Sequence, residues 1–156
     1  MTSEDHAAMG RRIVDTLMYM TLATADADGR PWASPVWYAP ATYTELLWVS
    51  EPDARHSRNL AARPEIAIVI FDSTVAIGGA EAVYMDAVAE QLAGPDVERG
   101  IAIFSRRSTD VGAREWTLSD VTPPAPLRLY RATATAQFVL GPNDRRVAVN
   151  LDDGRG

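Results

Sequence analysis

Ser50, Arg55, His56 and Arg58 bring a hydroxyl, two guanidiniums and an imidazole into nine consecutive positions. The spacing predicts that a strand ends at Ser50 and that Asp53 caps a short helix running to about Ala62, stopped by Pro64. A helix N-terminus carries free amides and a partial positive charge, so it attracts a phosphate. Arg55 adds a planar fork for two oxygens at once, and Ser50 a hydroxyl donor. The cluster reads as a grip for a small phosphorylated molecule, or alternatively as a solvated helix face with His56 on the surface.

Other chemistry is narrowed by what the chain contains. It has no cysteine, so disulfides, thiolate metal sites and cysteine nucleophiles are excluded. His6 and His56 are its two histidines, too few for a histidine-rich metal centre. Fifteen basic residues against twenty-one acidic ones leave a net charge of −6, the wrong sign for a nucleic-acid binder. No apolar run approaches the ~20 residues of a membrane span, and the acidic start lacks the order of a signal peptide. These features predict a cytoplasmic protein with neither nucleic acid nor membrane as partner.

The tryptophans admit two readings each. Trp32, Trp37 and Trp48 lie on neighbouring expected strands and suit a core or an interface, while Trp37 could also stack on a flat ligand. Trp116 stands in a polar stretch, where a large ring suits packing on a partner or a ligand.

The elements that must position these residues follow from periodicity. Met9, Ile13, Leu17 and Met20 recur at helical spacing, in a first helix that Ser3 would cap. Strands are expected over 21–25, 30–38, 45–50, 65–71 and 82–90, with a turn at Asp26-Ala-Asp28-Gly29 and a loop over 72–80. Pro31 and Pro35 require the second strand to be an edge, to carry a bulge or to bend near Pro35. Gly94 or Pro95 opens another helix to about Arg106, and 127–140 pairs with 145–151 as a closing hairpin. About seven hairpin-linked strands and three helices imply one mainly β domain over 1–151, an antiparallel sheet closing into a barrel without a dedicated covering helix, and a frayed tail at 152–156.

The sequence also carries a resemblance. The stretch Leu22-Ala-Thr-Ala-Asp-Ala-Asp-Gly-Arg-Pro-Trp-Ala-Ser-Pro-Val-Trp37, then Leu47-Trp-Val-Ser50, then Arg55-His-Ser-Arg-Asn-Leu-Ala-Ala-Arg-Pro64, resembles the pyridoxamine 5′-phosphate oxidase-like family of flavin-binding split barrels. The similarity is closest over 10–92 and looser in the closing hairpin. It implies an antiparallel split β-barrel acting as a homodimer, with FMN in a groove between subunits and a small molecule as substrate. Ser34, Pro35, Val36 and Trp37 would face the flavin ring, and Val49, Ser50, Arg55, His56 and Arg58 its phosphate. Glu81 and Ala82 would reach the partner's cofactor, with Trp116 and Arg131 near the ring and Tyr130 either there or, by a small margin, in the core.

The departures are specific. His56 stands where the vitamin B6 oxidase has lysine, and Arg128-Leu-Tyr-Arg131 replaces its late Arg-x-His motif. These argue against oxidation of pyridoxine phosphate itself. The resemblance also leaves open the deazaflavin F420, whose longer anionic tail could use Arg55, Arg58 and Arg63, and a carrier that holds flavin without turnover.

Overall fold

The helical period near the N-terminus lasts to Thr16 and then gives way to alternation, and the computed structural model, which describes residues 1–152, follows that switch. Helix α1 (Ser3–Thr16) is followed by β1 (Tyr19–Ala25), β2 (Pro31–Trp37), β3 (Ala39–Pro40), β4 (Glu45–Ser50) and α2 (Arg55–Ala62). Then come β5 (Glu65–Phe71), β6 (Ala82–Gln91), α3 (Pro95–Asp110), β7 (Arg128–Leu140) and β8 (Arg146–Ala148). Short 3-10 turns occupy Leu118–Val121 and Pro142–Asp144. Of the tail expected at 152–156, residues 153–156 lie outside the described residues.

All strand pairs are antiparallel, in the order β2-β1-β5-β6-β7-β4-β3, with β8 on β7. The two ends of that order, β2 and β3, are separated in the chain by Tyr38 alone. The sheet must therefore curl until its edges meet, which makes a split barrel. This is also how the strand expected over 30–38 meets its prolines. As an edge, β2 has no ladder on its outer side, where the missing N–H groups of Pro31 and Pro35 cost nothing.

The first hairpin is built by its turn. Asp26 Oδ1 accepts from the backbone N–H of Asp28 and of Arg30, both at 2.9 Å, and Gly29 takes φ 84°, where a Cβ would be strained. The backbone donors, Arg30 foremost, hold the Asp26 carboxyl below the usual carboxylate range.

Alternate residues fill the barrel: Met20 and Leu22 from β1, Ile66, Ile68 and Ile70 from β5, Val83 and Met85 from β6, all buried. Burying each such side chain contributes roughly 1.5–3 kcal/mol. Helix α1 adds Ala7, Ile13 and Val14 to the same cluster. It is capped by Thr2 rather than Ser3, through a reciprocal Thr2–Asp5 box, and Met20 belongs to β1 rather than to the helix face.

One expectation fails. The barrel does have a covering helix: α3 runs four residues past Arg106 and lays Ile101 and Phe104 over Leu47 and Leu129. The reason is visible in β4, whose run Leu46-Leu47-Trp48-Val49 lacks polar alternation because both faces are covered. Leu46 and Trp48 point into the barrel, while Leu47 and Val49 lie under α3.

Tyr38 holds the seam. It is fully buried, and its hydroxyl donates to the Val14 carbonyl at 2.7 Å. Burial pushes the phenol well above its ordinary value. Arg107 of α3 lies 5.9 Å from the Tyr38 ring and donates to the carbonyls of Asp15 (3.0 Å) and Leu17 (3.1 Å). No basic residue of α1 serves its own C-terminus, so α3 supplies one. Tyr38→Phe would leave the Val14 carbonyl unsatisfied and should cost about 1–3 kcal/mol in urea unfolding; an unchanged midpoint would mean that this bond does not hold the seam.

Candidate functional site

The junction of β4 and α2 forms as expected, with one change at the cap. The cap position is Ala54, not Asp53, and no side chain closes the first turn. The Asp53 carbonyl instead accepts from Arg58 Nη1 at 2.9 Å. An uncapped first turn leaves its amides free to meet an external anion. His56 Nε2 and Ser50 Oγ lie 2.9 Å apart and share a hydrogen bond across the junction. His56 is half-buried, and burial lowers its pKa below the ordinary imidazole value, favouring the neutral ring.

Ser50 and His56 open onto a cavity of about 630 Å³. Pro35, Val36, Trp37 and Val49 also line it, as does Trp116. The barrel thus brings together residues from three distant stretches of the chain. Met18 and Tyr19, which follow the α1 end held by Tyr38 and Arg107, form a further wall. No carboxylate is among the lining residues, so an anion entering the cavity meets no like charge in its walls.

The apolar body of the cavity is an aromatic lattice. Trp37 and Phe104 meet edge-to-face at 4.9 Å, and Phe104 and Trp116 at 5.4 Å. Trp37 and Trp116 therefore pack against α3 and face the cavity at the same time. The backbone N–H of Trp116 donates to Ser105 Oγ at 2.8 Å, which holds its loop on α3. Neither Arg114 nor Phe104 was predicted from the sequence. Arg114 lines the cavity with its guanidinium 3.9 Å from the Trp116 ring centre. It stands sixty-four residues after Ser50, and no spacing pattern connects the two.

The other expected site residues lie elsewhere. Ser34 is half-buried on β2 outside the cavity. Arg55 is exposed, its guanidinium 4.1 Å from the centre of the Trp32 ring. Arg63 donates to the Ala27 carbonyl at 3.0 Å. Glu81 pairs with Arg12 of α1, and Ala82 is buried opposite Phe71. Arg131 pairs with Glu90 at 2.5 Å and with Asp96 at 3.9 Å. Tyr130 is buried and stacks on Trp48 at 5.6 Å, which makes both core residues.

The curled sheet with a cavity at its seam defines a split-barrel protein. A model of the pyridoxamine 5′-phosphate oxidase family matches residues 11–136, and the chain belongs to that family. The match runs past the 10–92 stretch and takes in most of β7. No curated protein sequence is significantly similar to it. Among solved structures, a heme-binding protein from Mycobacterium smegmatis has a TM-score of 0.73 at 21% identity, over 92% of this chain and 57% of its own. The heme storage protein HutZ from Vibrio cholerae has 0.67 at 23%, over 83% and 90%. A candidate pyridoxamine 5′-phosphate oxidase from Listeria innocua has 0.64 at 13%, over 86% and 97%. At these identities the likeness establishes the fold. None of the described helices is long and apolar enough to cross a membrane.

The buried imidazole makes stability depend on pH. Because the folded pKa of His56 lies below its unfolded value, the unfolded chain binds more protons between the two. Stability should be full above about pH 6.5 and fall as pH drops from there through the folded value. His56→Gln should flatten this part of the curve, measured as melting temperature against pH; equal slopes in both proteins would mean that burial does not perturb the ring.

Proposed function

We propose that the chain is a cytoplasmic FMN-dependent oxidoreductase acting on a small organic molecule, with its phosphate grip at Ser50, Arg55 and His56. The supporting observation is the cavity itself: an aromatic-walled space lined by the Pro35–Trp37 segment and by His56 from the uncapped first turn of α2. Flavin, when bound, supplies the hydride or electron transfer, so the protein needs to bind and orient it rather than provide an acid or base. Arg55 is held by one aromatic face and no carboxylate pairs with it among the described residues, which leaves its fork available to a phosphate.

Arg55→Ala should weaken FMN by about tenfold and riboflavin hardly at all, by fluorescence titration, since only FMN carries the phosphate. Equal losses for both ligands would sink the phosphate assignment. An F420-dependent reductase on the same fold would instead bind the deazaflavin and leave FMN alone. A carrier would bind FMN that no nicotinamide donor can reduce.

A heme reading is favoured by one observation besides the two neighbours that bind or store heme. His56, the lone histidine lining the cavity, is half-buried, and burial favours the neutral ring that an iron ligand requires. A Soret band on hemin titration that disappears in His56→Gln would establish it over the flavin reading.

The same proposal makes the protein a homodimer. Thr21, Val69, Tyr84 and Phe138 form one row across β1, β5, β6 and β7, beside a second row containing Ala23 and Ala67. Together they line an outward-facing, largely apolar groove of about 330 Å³ that Asp86 and Arg146 also reach, with the Arg146 guanidinium 3.7 Å from the Tyr84 ring centre; Phe71 of β5 is exposed as well. An apolar sheet face of this kind suits a second copy of the chain. Val69→Glu should shift sedimentation from dimer to monomer and weaken cofactor binding with it; a mutant that stays dimeric would place the interface elsewhere.

A further inference from the structure

We infer that Arg114 is a substrate-anchoring residue, and that the cavity takes a flat apolar molecule carrying one anionic head group, a carboxylate or its equivalent. For the word substrate this rests on the flavin reading above; as an anion site it stands on geometry alone.

The guanidinium is held on three sides. Its face lies 3.9 Å from the Trp116 ring centre, Nε donates to the Glu115 carbonyl at 3.1 Å, and Nη2 pairs with Asp120 Oδ1 at 2.8 Å. Asp120 is itself fixed, because its Oδ2 accepts from the Thr117 backbone N–H at 2.8 Å and from the Thr117 hydroxyl at 3.1 Å. The backbone is fixed too: the Arg114 carbonyl accepts from Ser108 Oγ at 2.6 Å, and Ala113 donates to the Ser108 carbonyl at 2.8 Å.

A guanidinium has five N–H donors, and these contacts occupy Nε and part of Nη2. Nη1 has no partner among the described residues, while Arg114 lines the cavity. The side chain stays 56% exposed, yet these contacts orient its free donor edge, and a planar fork so oriented suits a carboxylate. Asp120 neutralises much of the charge, so attraction at a distance is weak and discrimination comes from hydrogen bonding at contact.

The rest of the cavity sets the body of the molecule. Trp37, Phe104 and Trp116 supply aromatic walls, and Leu127 and Val111 aliphatic ones. Arg114 enters from the α3 side, whereas Ser50 and His56 enter from the β4–α2 junction. Polar groups on two different elements of one largely apolar lining fit a phosphorylated cofactor at the β4–α2 junction and an anionic substrate at Arg114.

The test uses 2-naphthoate and uncharged 2-naphthylmethanol, titrated by tryptophan fluorescence into the FMN-loaded protein. The wild type should prefer the carboxylate by about tenfold, and Arg114→Gln should bring the two probes to within about twofold while leaving the alcohol and FMN affinities unchanged. Arg114→Lys, which keeps the charge and loses the fork, should retain part of the preference and carries the test if the glutamine variant does not fold. Three outcomes overturn the inference: equal binding of both probes by the wild type, undiminished preference in both variants, or loss of FMN along with the preference, which would make Arg114 a cofactor residue. A protein that refuses FMN yet still selects naphthoate through Arg114 retains the anion site and abandons the flavin reading.

Discussion

Tyr38 passes the chain from one edge of the sheet to the other, and its buried hydroxyl donates to the Val14 carbonyl. Through that bond the end of α1 is tied to the seam, and Arg107 ties α3 to the same helix end. The cavity is a consequence. Met18 and Tyr19 leave α1 just beyond those bonds, Trp37 precedes Tyr38 directly, and Phe104 lies one helical turn before Arg107. Closing the barrel and walling the cavity are therefore one structural event. A hydrogen bond in so dry a position matters less for its net gain than for the cost of leaving the carbonyl unpaired.

The electrostatics of the cavity depend on where the carboxylates go. Five Asp–Arg or Glu–Arg pairings are formed elsewhere on the described surface, including Glu81 with Arg12 and Glu90 with Arg131. The cavity wall keeps an imidazole whose charge burial disfavours, and one guanidinium already half-satisfied by Asp120. A chain of net charge −6 can thus still offer an anion a cavity with no carboxylate among its lining residues. The surface pairs are exposed or partly exposed and stabilise the fold only slightly.

Local patterns were legible wherever neighbouring residues settle the geometry. The Asp26–Gly29 turn, the strand ending at Ser50 and the helix between it and Pro64 all rest on contacts within a few positions. The prolines of β2 correctly signalled an edge, since a missing N–H is a local fact. Caps were less legible: Thr2 displaced Ser3 through its box with Asp5, and Ala54 displaced Asp53, because several adjacent residues could start each helix.

What the order of residues could not carry is the partner of each long side chain. Arg131 was expected near a ring and sits against Glu90 and Asp96, because the β6–β7 register places Glu90 directly opposite it. Arg114 gave no signal, because its place in the cavity depends on the long-range packing of α3 over β4. The chain's own pattern specified a hairpin-rich antiparallel protein with an anion-ready turn after Ser50, since backbone periodicity and turn chemistry act over a few residues. The depth of the cavity, its aromatic lattice and its second polar end arose from contacts between residues tens of positions apart, which exist once Tyr38 has joined the two edges of the sheet.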